Sequence, residues 1–299
     1  MALNKKQIAA IEAINEAINA SVEGFEGVLP TIQKKLLFQL KSALFSLKRS
    51  GDSIKNTAEN TLLVQKITDD LAGGLITKQY IKALDDYIDT FNPILELNNK
   101  YFDLLNVNFV PNKARYLEIS QSLIGATEFR LAQTGVWGTV LQEINQLLKT
   151  NVSSGGSYDA MIKTLITQVA GTPKTANTPK TLGYVEKYAK QIINDSVMVY
   201  NRQMQSTISA DLKLEWYLYQ GTLIRDSRPF CVARAGNYYH QKEIESWARQ
   251  SWAGKYNGTN ANTIFTYAGG YGCRHTITPV SKSVVPQSDI DRAKERGFI

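Results

Sequence analysis

Two cysteines and two histidines are all that this 299-residue sequence holds of the residue types that most often bind metals or do nucleophilic chemistry. Two cysteines cannot build a disulfide framework, and two imidazoles sharply limit histidine chemistry. No apolar run approaches the roughly 20 residues needed to span a bilayer. The opening Met1-Ala-Leu-Asn-Lys-Lys runs into an alternation of Ile, Ala, Glu and Asn. It lacks the apolar stretch of a signal peptide, so residence in a cytoplasm, at least at first, is the expectation. Lys and Arg are scattered with no run of five or six, which excludes a basic tail. Phosphate loops of the form Gly-x4-Gly-Lys-Ser/Thr, His-Glu-x-x-His, Gly-x-Ser-x-Gly and the kinase set are absent.

What is present is an ordinary soluble composition, 43% hydrophobic and 20% charged, which excludes wholesale disorder and fibrous repeats. The net charge is +7, compatible with an anionic partner such as DNA and also with none.

The first half is patterned for helices. Ile8, Ile11, Ile14, Ile18 and Val22 share one face of a helix that Gly24 can end. Pro30 can open a second, with Ile32, Leu36, Leu40, Leu44 and Leu47 striped up to Gly51. Shorter helices are expected at 56–72, 77–91, 94–105, 113–133 and 138–149. Residues 150–156 read as a flexible joint, followed by a short helix at 157–169. A second linker at 171–181 contains Thr-Pro-Lys-Thr twice, and its prolines exclude regular helix. A helix over about 182–213, the longest expected, then carries Leu182, Val185, Ala189, Ile193, Val197, Tyr200, Met204 and Ile208 on one face.

Beyond Leu214 the pattern turns β-prone. Short strands are expected at 215–221, 238–240, 263–267 and 275–280, with helices at 242–250 and 287–296. The fold class predicted is α+β: a helical interaction bundle over 1–150, a linker region over 151–181, and a long helix with a small α+β module over 182–299.

Cys231, His240, Cys273 and His275 all fall in one 45-residue window of that module. In order the module reads Trp216-x4-Gly221-x4-Asp226-x-Arg228-x2-Cys231-x4-Gly236, and, after an interval, Cys273-Arg274-His275. A long helix, a Trp-containing strand, Asp-x-Arg with Cys three residues on, a Gly and a terminal Cys-Arg-Cys-like element resemble the Mu F-type head-morphogenesis proteins of tailed phages. The resemblance covers about 180–282. His275 stands where that family usually has a second Cys, and Ala268-Gly-Gly-Tyr-Gly272 stands where a Pro and a His would be expected.

The resemblance implies a structural minor head protein, not an enzyme. Such a protein acts in head morphogenesis near the portal or the inner capsid wall, and leaves with the DNA in some cases. Its partners would be portal or capsid proteins and, non-specifically, packaged DNA; no small-molecule substrate and no membrane before ejection are expected. It would sit in the virion, and in the host cytoplasm during assembly. Two other classes stand beside it: a toxin-like effector or enzyme carried in the head, and a transient DNA-binding assembly factor.

Read from the residues themselves, Asp226 and Arg228 suit a structural ion pair that pins the polar turn 224–229. Cys273 and His275, two apart, would share a face of a strand. With Cys231 and His240 alongside they would complete a Cys2His2 set, the ligand count of a closed structural zinc site. Two alternatives remain open: both cysteines as small buried hydrophobes, or a Cys231–Cys273 disulfide formed in an oxidising medium. Arg225, Arg234 and Arg274, with Arg228 and interleaved Phe230, Tyr238, Tyr239 and Tyr271, could make a basic aromatic surface for DNA, or the aromatics could simply pack. The zinc-deaminase pattern fails, because the Glu lies three residues after His240 and Cys273 has no Cys partner. A Cys231/His240 nucleophile pair has no third orienting group.

Overall fold

From Ile11 to Leu44 the apolar positions Ile11, Ile14, Ile18, Val22, Phe25, Leu29, Ile32, Leu36, Leu40 and Leu44 recur every three or four residues, and all ten are buried. In the computed structural model, which describes residues 3–105, 109–132, 135–175 and 178–299, they line one continuous helix, α1 (Lys5–Leu44, 40 residues). The two helices expected here are therefore one. Gly24, Gly27 and Pro30 lie inside it, because an unbroken buried stripe outweighs local helix breakers. This also makes α1, not the helix near 182–213, the longest among the described residues.

The next helices follow the expected order: α2 (Ala58–Gly73), α3 (Leu75–Ile88), α4 (Phe91–Asp103), α5 (Lys113–Leu131) and α6 (Val136–Ser154). The predicted end of α5 at position 133 lies outside the described residues. The flexible joint expected at 150–156 is instead the last turn of α6, closed by Gly155 in the left-handed region (φ 66°). Then come α7 (Tyr158–Leu165) and one π-turn, Ile166–Ala170. Ser157 and Asp52 cap α7, the Asp52 carboxylate accepting from the Asp159 N–H at 2.9 Å.

The chain forms two compact units that do not follow chain order. One comprises 1–22, 89–125 and 194–299; the other comprises 23–88 and 126–193. Neither coincides with the expected segments 1–150, 151–181 and 182–299. In the second unit, Tyr80 stacks on Trp137 (ring centroids 4.9 Å apart) and donates to the Leu131 carbonyl. The Trp137 indole N–H is satisfied by Thr77. Two short antiparallel hairpins belong here: β1 (Arg49–Ser50) with β2 (Ser53–Ile54), and β3 (Gly171–Thr172) with β4 (Thr181–Leu182). The second hairpin corrects the linker reading: the ends of 171–181 are paired strands, with Thr172 opposite Thr181. Ala176 and Asn177, in the middle of that stretch, lie outside the described residues.

The first unit holds the module. Helix α8 (Tyr184–Asp211, 28 residues) feeds it; Val197, Tyr200, Met204 and Ile208 are buried as the stripe predicts. Its other faces are buried too, through polar residues such as Asp195, Asn201, Arg202, Gln205 and Ser209. A three-stranded antiparallel sheet follows, in the order β6 (Tyr238–His240), β5 (Trp216–Gln220), β7 (Thr276–Val280). Pro279 sits on β7, an edge strand, where its missing N–H costs no ladder bond. Tyr101 on α4 donates to its carbonyl at 2.6 Å.

Alternation along β5 sorts the module into two cores. Tyr217 and Tyr219 face one, with Phe230, Cys231, Trp247, Phe265 and Cys273. Trp216 faces the other, with Val280, Val284, Val285 and Ala293. Around the sheet lie α9 (Pro229–Val232), α10 (Gln241–Trp247), α11 (Ile264–Tyr267) and α12 (Gln287–Glu295). Within 263–267, expected as a strand, residues 264–267 are helical because Asn260 starts a turn there: its carbonyl accepts from the Ile264 N–H, and its own N–H donates to the Thr263 hydroxyl. No helix among the described residues is long and apolar enough to cross a membrane.

Candidate metal centre

Three of the four rare residues meet. Cys231 comes from α9, where Pro229 opens the turn and Phe230 anchors it by stacking on Trp252 at 4.0 Å. Cys273 and His275 come from the loop just before β7, not from the strand itself. That loop is shaped by close backbone turns, with the Cys273 N–H donating to the Gly270 carbonyl and the Tyr271 N–H to that of Gly254. The Cys231 and Cys273 sulfurs lie 3.9 Å apart, and Cys273 Sγ is 3.8 Å from His275 Nδ1. All three ligand atoms are within 4.8 Å of one another, and all three residues are buried.

The spacing suits a metal ion. With Zn–S of about 2.3 Å and Zn–N of about 2.0 Å, a tetrahedral centre has S···S edges of about 3.8 Å and S···N edges of about 3.6 Å. The two measured edges fall close to these values.

His240 does not join them, which corrects the four-ligand expectation. It pairs with Trp216 across the sheet, packs edge-on against that ring at 5.3 Å, and caps α10 by accepting from the Lys242 N–H. The reason is strand alternation: Tyr239 points into the sulfur-containing core, so the next side chain must point away. Burial lowers the His240 pKa, with the Glu215 carboxylate, 3.9 Å away, pulling the other way.

Several residues that the sequence did not single out build the site. Tyr219 donates its hydroxyl to Cys231 Sγ at 3.2 Å and stacks on the His275 ring at 5.5 Å. Gly269 lies against both sulfurs; a Cβ there would come within 2.6 and 2.7 Å of them. This explains part of the glycine-rich stretch 268–272: backbone, not a side chain, must approach the cluster. Arg202, buried on α8, donates to the carbonyls of Cys273 (2.6 Å) and His275 (2.9 Å). Asp195 accepts from the Gly272 N–H at 2.7 Å, and Asn194 from Arg274 Nε at 3.0 Å. The available signal was a polar row on α8, with Asn194, Asn201, Gln205 and Ser209 at helical spacing beside the apolar stripe.

The two sulfurs behave as a thiol–thiolate pair. A hydrogen bond from Cys231 is the largest influence lowering Cys273, helped by His275 and by the charge of Arg202. Sharing that proton, and burial, push Cys231 up. Burial also raises Tyr219, which keeps its hydroxyl a donor.

The polar turn differs from expectation. Asp226 pairs with its neighbour Arg225 at 3.2 Å on the surface, not with Arg228. Ser227 pins the turn, its hydroxyl accepting from the Ile224 N–H at 2.8 Å. Arg228 instead clamps the glycine-rich loop, donating to the Tyr271 carbonyl and packing on Gly254. Arg234 is spread over the Phe230 and Trp247 rings, at 3.8 and 4.5 Å, and bonds the Phe230 carbonyl and Gln250. With Phe230 and Tyr239 buried, these arginines and aromatics do not interleave on one surface; Arg225 and Arg274 alone of the three named for DNA are exposed.

Cys231, Cys273 and His275 also form part of the wall of a cleft of about 720 Å³, together with Arg228, Arg274 and Asp226. Comparison of the chain with protein families, with curated proteins and with solved structures finds no match.

Proposed function

We propose that this chain is a structural component of a tailed-phage virion, a minor head protein acting in head morphogenesis near the portal or the inner capsid wall, whose C-terminal module is fastened by one zinc ion. The observation that carries the reading is the convergence of Cys231 with Cys273 and His275. The elements on which the family resemblance rests, Asp-x-Arg-x2-Cys and the terminal Cys-Arg-His, are joined in space by the sulfur pair, while Arg228 bonds Tyr271, two residues before Cys273.

A zinc ion on Cys231, Cys273 and His275 would tie α9 to the loop before β7, two segments 42 positions apart. Such a tie stabilises a small module whose loops are long and glycine-rich. Arg202 and Tyr219 would hold the ligands in orientation from behind. The role is structural: Arg234 and Arg228 are committed to packing and loop anchoring, and the net charge of +7 suits a DNA-filled interior without sequence readout.

Quantitative mass spectrometry of particles from a strain carrying this gene, DNA-filled and after ejection, tests the reading. A low, fixed copy number in filled heads is expected. Retention after ejection assigns the protein to the portal or shell, and loss makes it a delivered passenger. Absence from particles overturns the virion assignment. Zinc well below one equivalent in untagged protein overturns the metal.

A further inference from the structure

Zinc in a closed structural site takes four protein ligands, and here the described residues supply three. Gly269 and the Tyr219 hydroxyl cover the sulfurs within the core, and Arg202 holds the backbone of Cys273 and His275. The three ligand residues nevertheless contribute to the wall of the 720 Å³ cleft, a volume in the range of small-molecule sites.

Two further features of this cleft are unsatisfied. His275 is 95% buried by its 5% exposure, yet its Nε2 has no hydrogen-bond partner among the described residues. The adjoining Cδ2 edge of its ring faces Gly221, another wall residue, where a Cβ would come within 2.7 Å. Arg274 uses Nε on Asn194, while its two terminal nitrogens bond nothing among the described residues. His275 Nε2 is the buried one of the two, and a buried polar atom without a partner is costly, so a group that accepts hydrogen bonds here is favoured.

Charge selects the class of that group. Zinc with two thiolates and a neutral imidazole carries no net charge. Asp226 is paired with Arg225, so Arg228 and Arg274 leave the cleft positive. An anion is therefore favoured, and a carboxylate oxygen is also an ordinary zinc ligand. The planar fork of an arginine also matches a carboxylate.

We propose that the cleft is a carboxylate-binding site, in which one carboxylate oxygen takes the fourth position on the metal held by Cys231, Cys273 and His275 while Arg274 pairs with the other. This rests on the metal reading above and adds a recognition role to it. The carboxylate is carried either by a small acid or by an acidic side chain of a partner protein.

The test uses the full chain loaded with cobalt(II), whose visible bands report the ligand set. Acetate, a blocked glutamyl tripeptide and inorganic phosphate are titrated separately. A saturable spectral shift with acetate or the peptide, and a weaker response to phosphate, is expected. Tighter binding of the peptide than of acetate places the carboxylate on a partner chain; equal binding makes it a free small acid. Arg274→Gln should weaken carboxylate binding about tenfold. Cobalt uptake with no response to either carboxylate, or with phosphate binding more tightly, overturns the proposal and leaves the metal reading standing. No cobalt uptake overturns both.

Discussion

The guanidinium of Arg202 reaches the carbonyl of Cys273 at 2.6 Å across 71 positions of sequence, and the carbonyl of His275 as well. A buried helix thus holds the backbone of two candidate ligands from below. Arg202→Met keeps much of the side-chain volume but strands those carbonyls. Unfolding in urea should show a loss of about 3 kcal/mol, from orphaned acceptors in a dry core. Zinc affinity should fall at least about tenfold, as when an outer-shell partner is removed. A stability within about 0.5 kcal/mol of the parent, the scale of a neutral surface change, would contradict the assignment.

Gly269 is the second support. Its hydrogen faces both sulfurs, so Gly269→Ala must push at least one of them aside. The expected cost is about 1–3 kcal/mol of overpacking, with weaker zinc binding. Calorimetric melting and a competition titration with a zinc chelator read the two effects. An alanine variant with parental zinc affinity would show that the sulfurs are not confined.

In the metal-free protein the sulfur pair makes stability pH-dependent. Cys273 is lowered from an ordinary 9.0, so its contribution is complete above about pH 9 and fades as the pH falls through its folded-state value. Cys231 is raised, so its contribution is present below pH 9 and is lost as the pH rises beyond it. Between these limits the unfolded chain holds one more proton than the folded one, and stability rises with pH. Urea midpoints measured from pH 5 to 8 should climb in the parent. Cys273→Ser should flatten the climb, and an unchanged slope would argue against the thiolate.

The His240 placement has its own consequence. His240→Gln should leave metal stoichiometry unchanged, because the ring lies on the opposite side of the sheet against Trp216. His275→Gln should lower it. Elemental analysis of the two untagged variants separates them; loss of metal from the His240 variant alone would reverse the ligand assignment.

A further pair tests the packing of the module. Glu243, 1% exposed, is neutralised by Arg296 at 2.6 Å. Arg296→Ala leaves that carboxylate buried without its ion-pair partner. A loss of about 1–2 kcal/mol is expected, below the full buried-pair cost because Arg296 is itself partly solvated. Adding Glu243→Gln to the same chain should recover most of the lost melting temperature.

Much of this site was legible from rarity. Cys231, Cys273 and His275 belong to residue types so scarce that their clustering pointed to one centre before any geometry was known. The helices α2 to α6 and the strand at 216–220 were legible from periodicity, since a 3.6- or 2-residue repeat records which face is buried. The breaks placed at Gly24 and Pro30 failed because local breaker signals were weighed without the stripe that runs through both. Residues 263–267 were misread as a strand because a four-residue helix is too short to show a period, and its Asn260 turn was the only cue.

The sequence by itself determined the helical character of the first half, the β-prone module near the C-terminus, and the residue types available for a polar centre. Only the tertiary structure decided that α1 is unbroken, that Arg202 and Gly269 support the sulfurs, and that three ligands meet while His240 turns away. The physical reason is the difference between local and non-local constraints. A repeat along the chain encodes the orientation of each side chain relative to its own element. Which distant groups meet depends on register and loop closure, and in a sheet a single residue's shift moves a side chain from one face to the other.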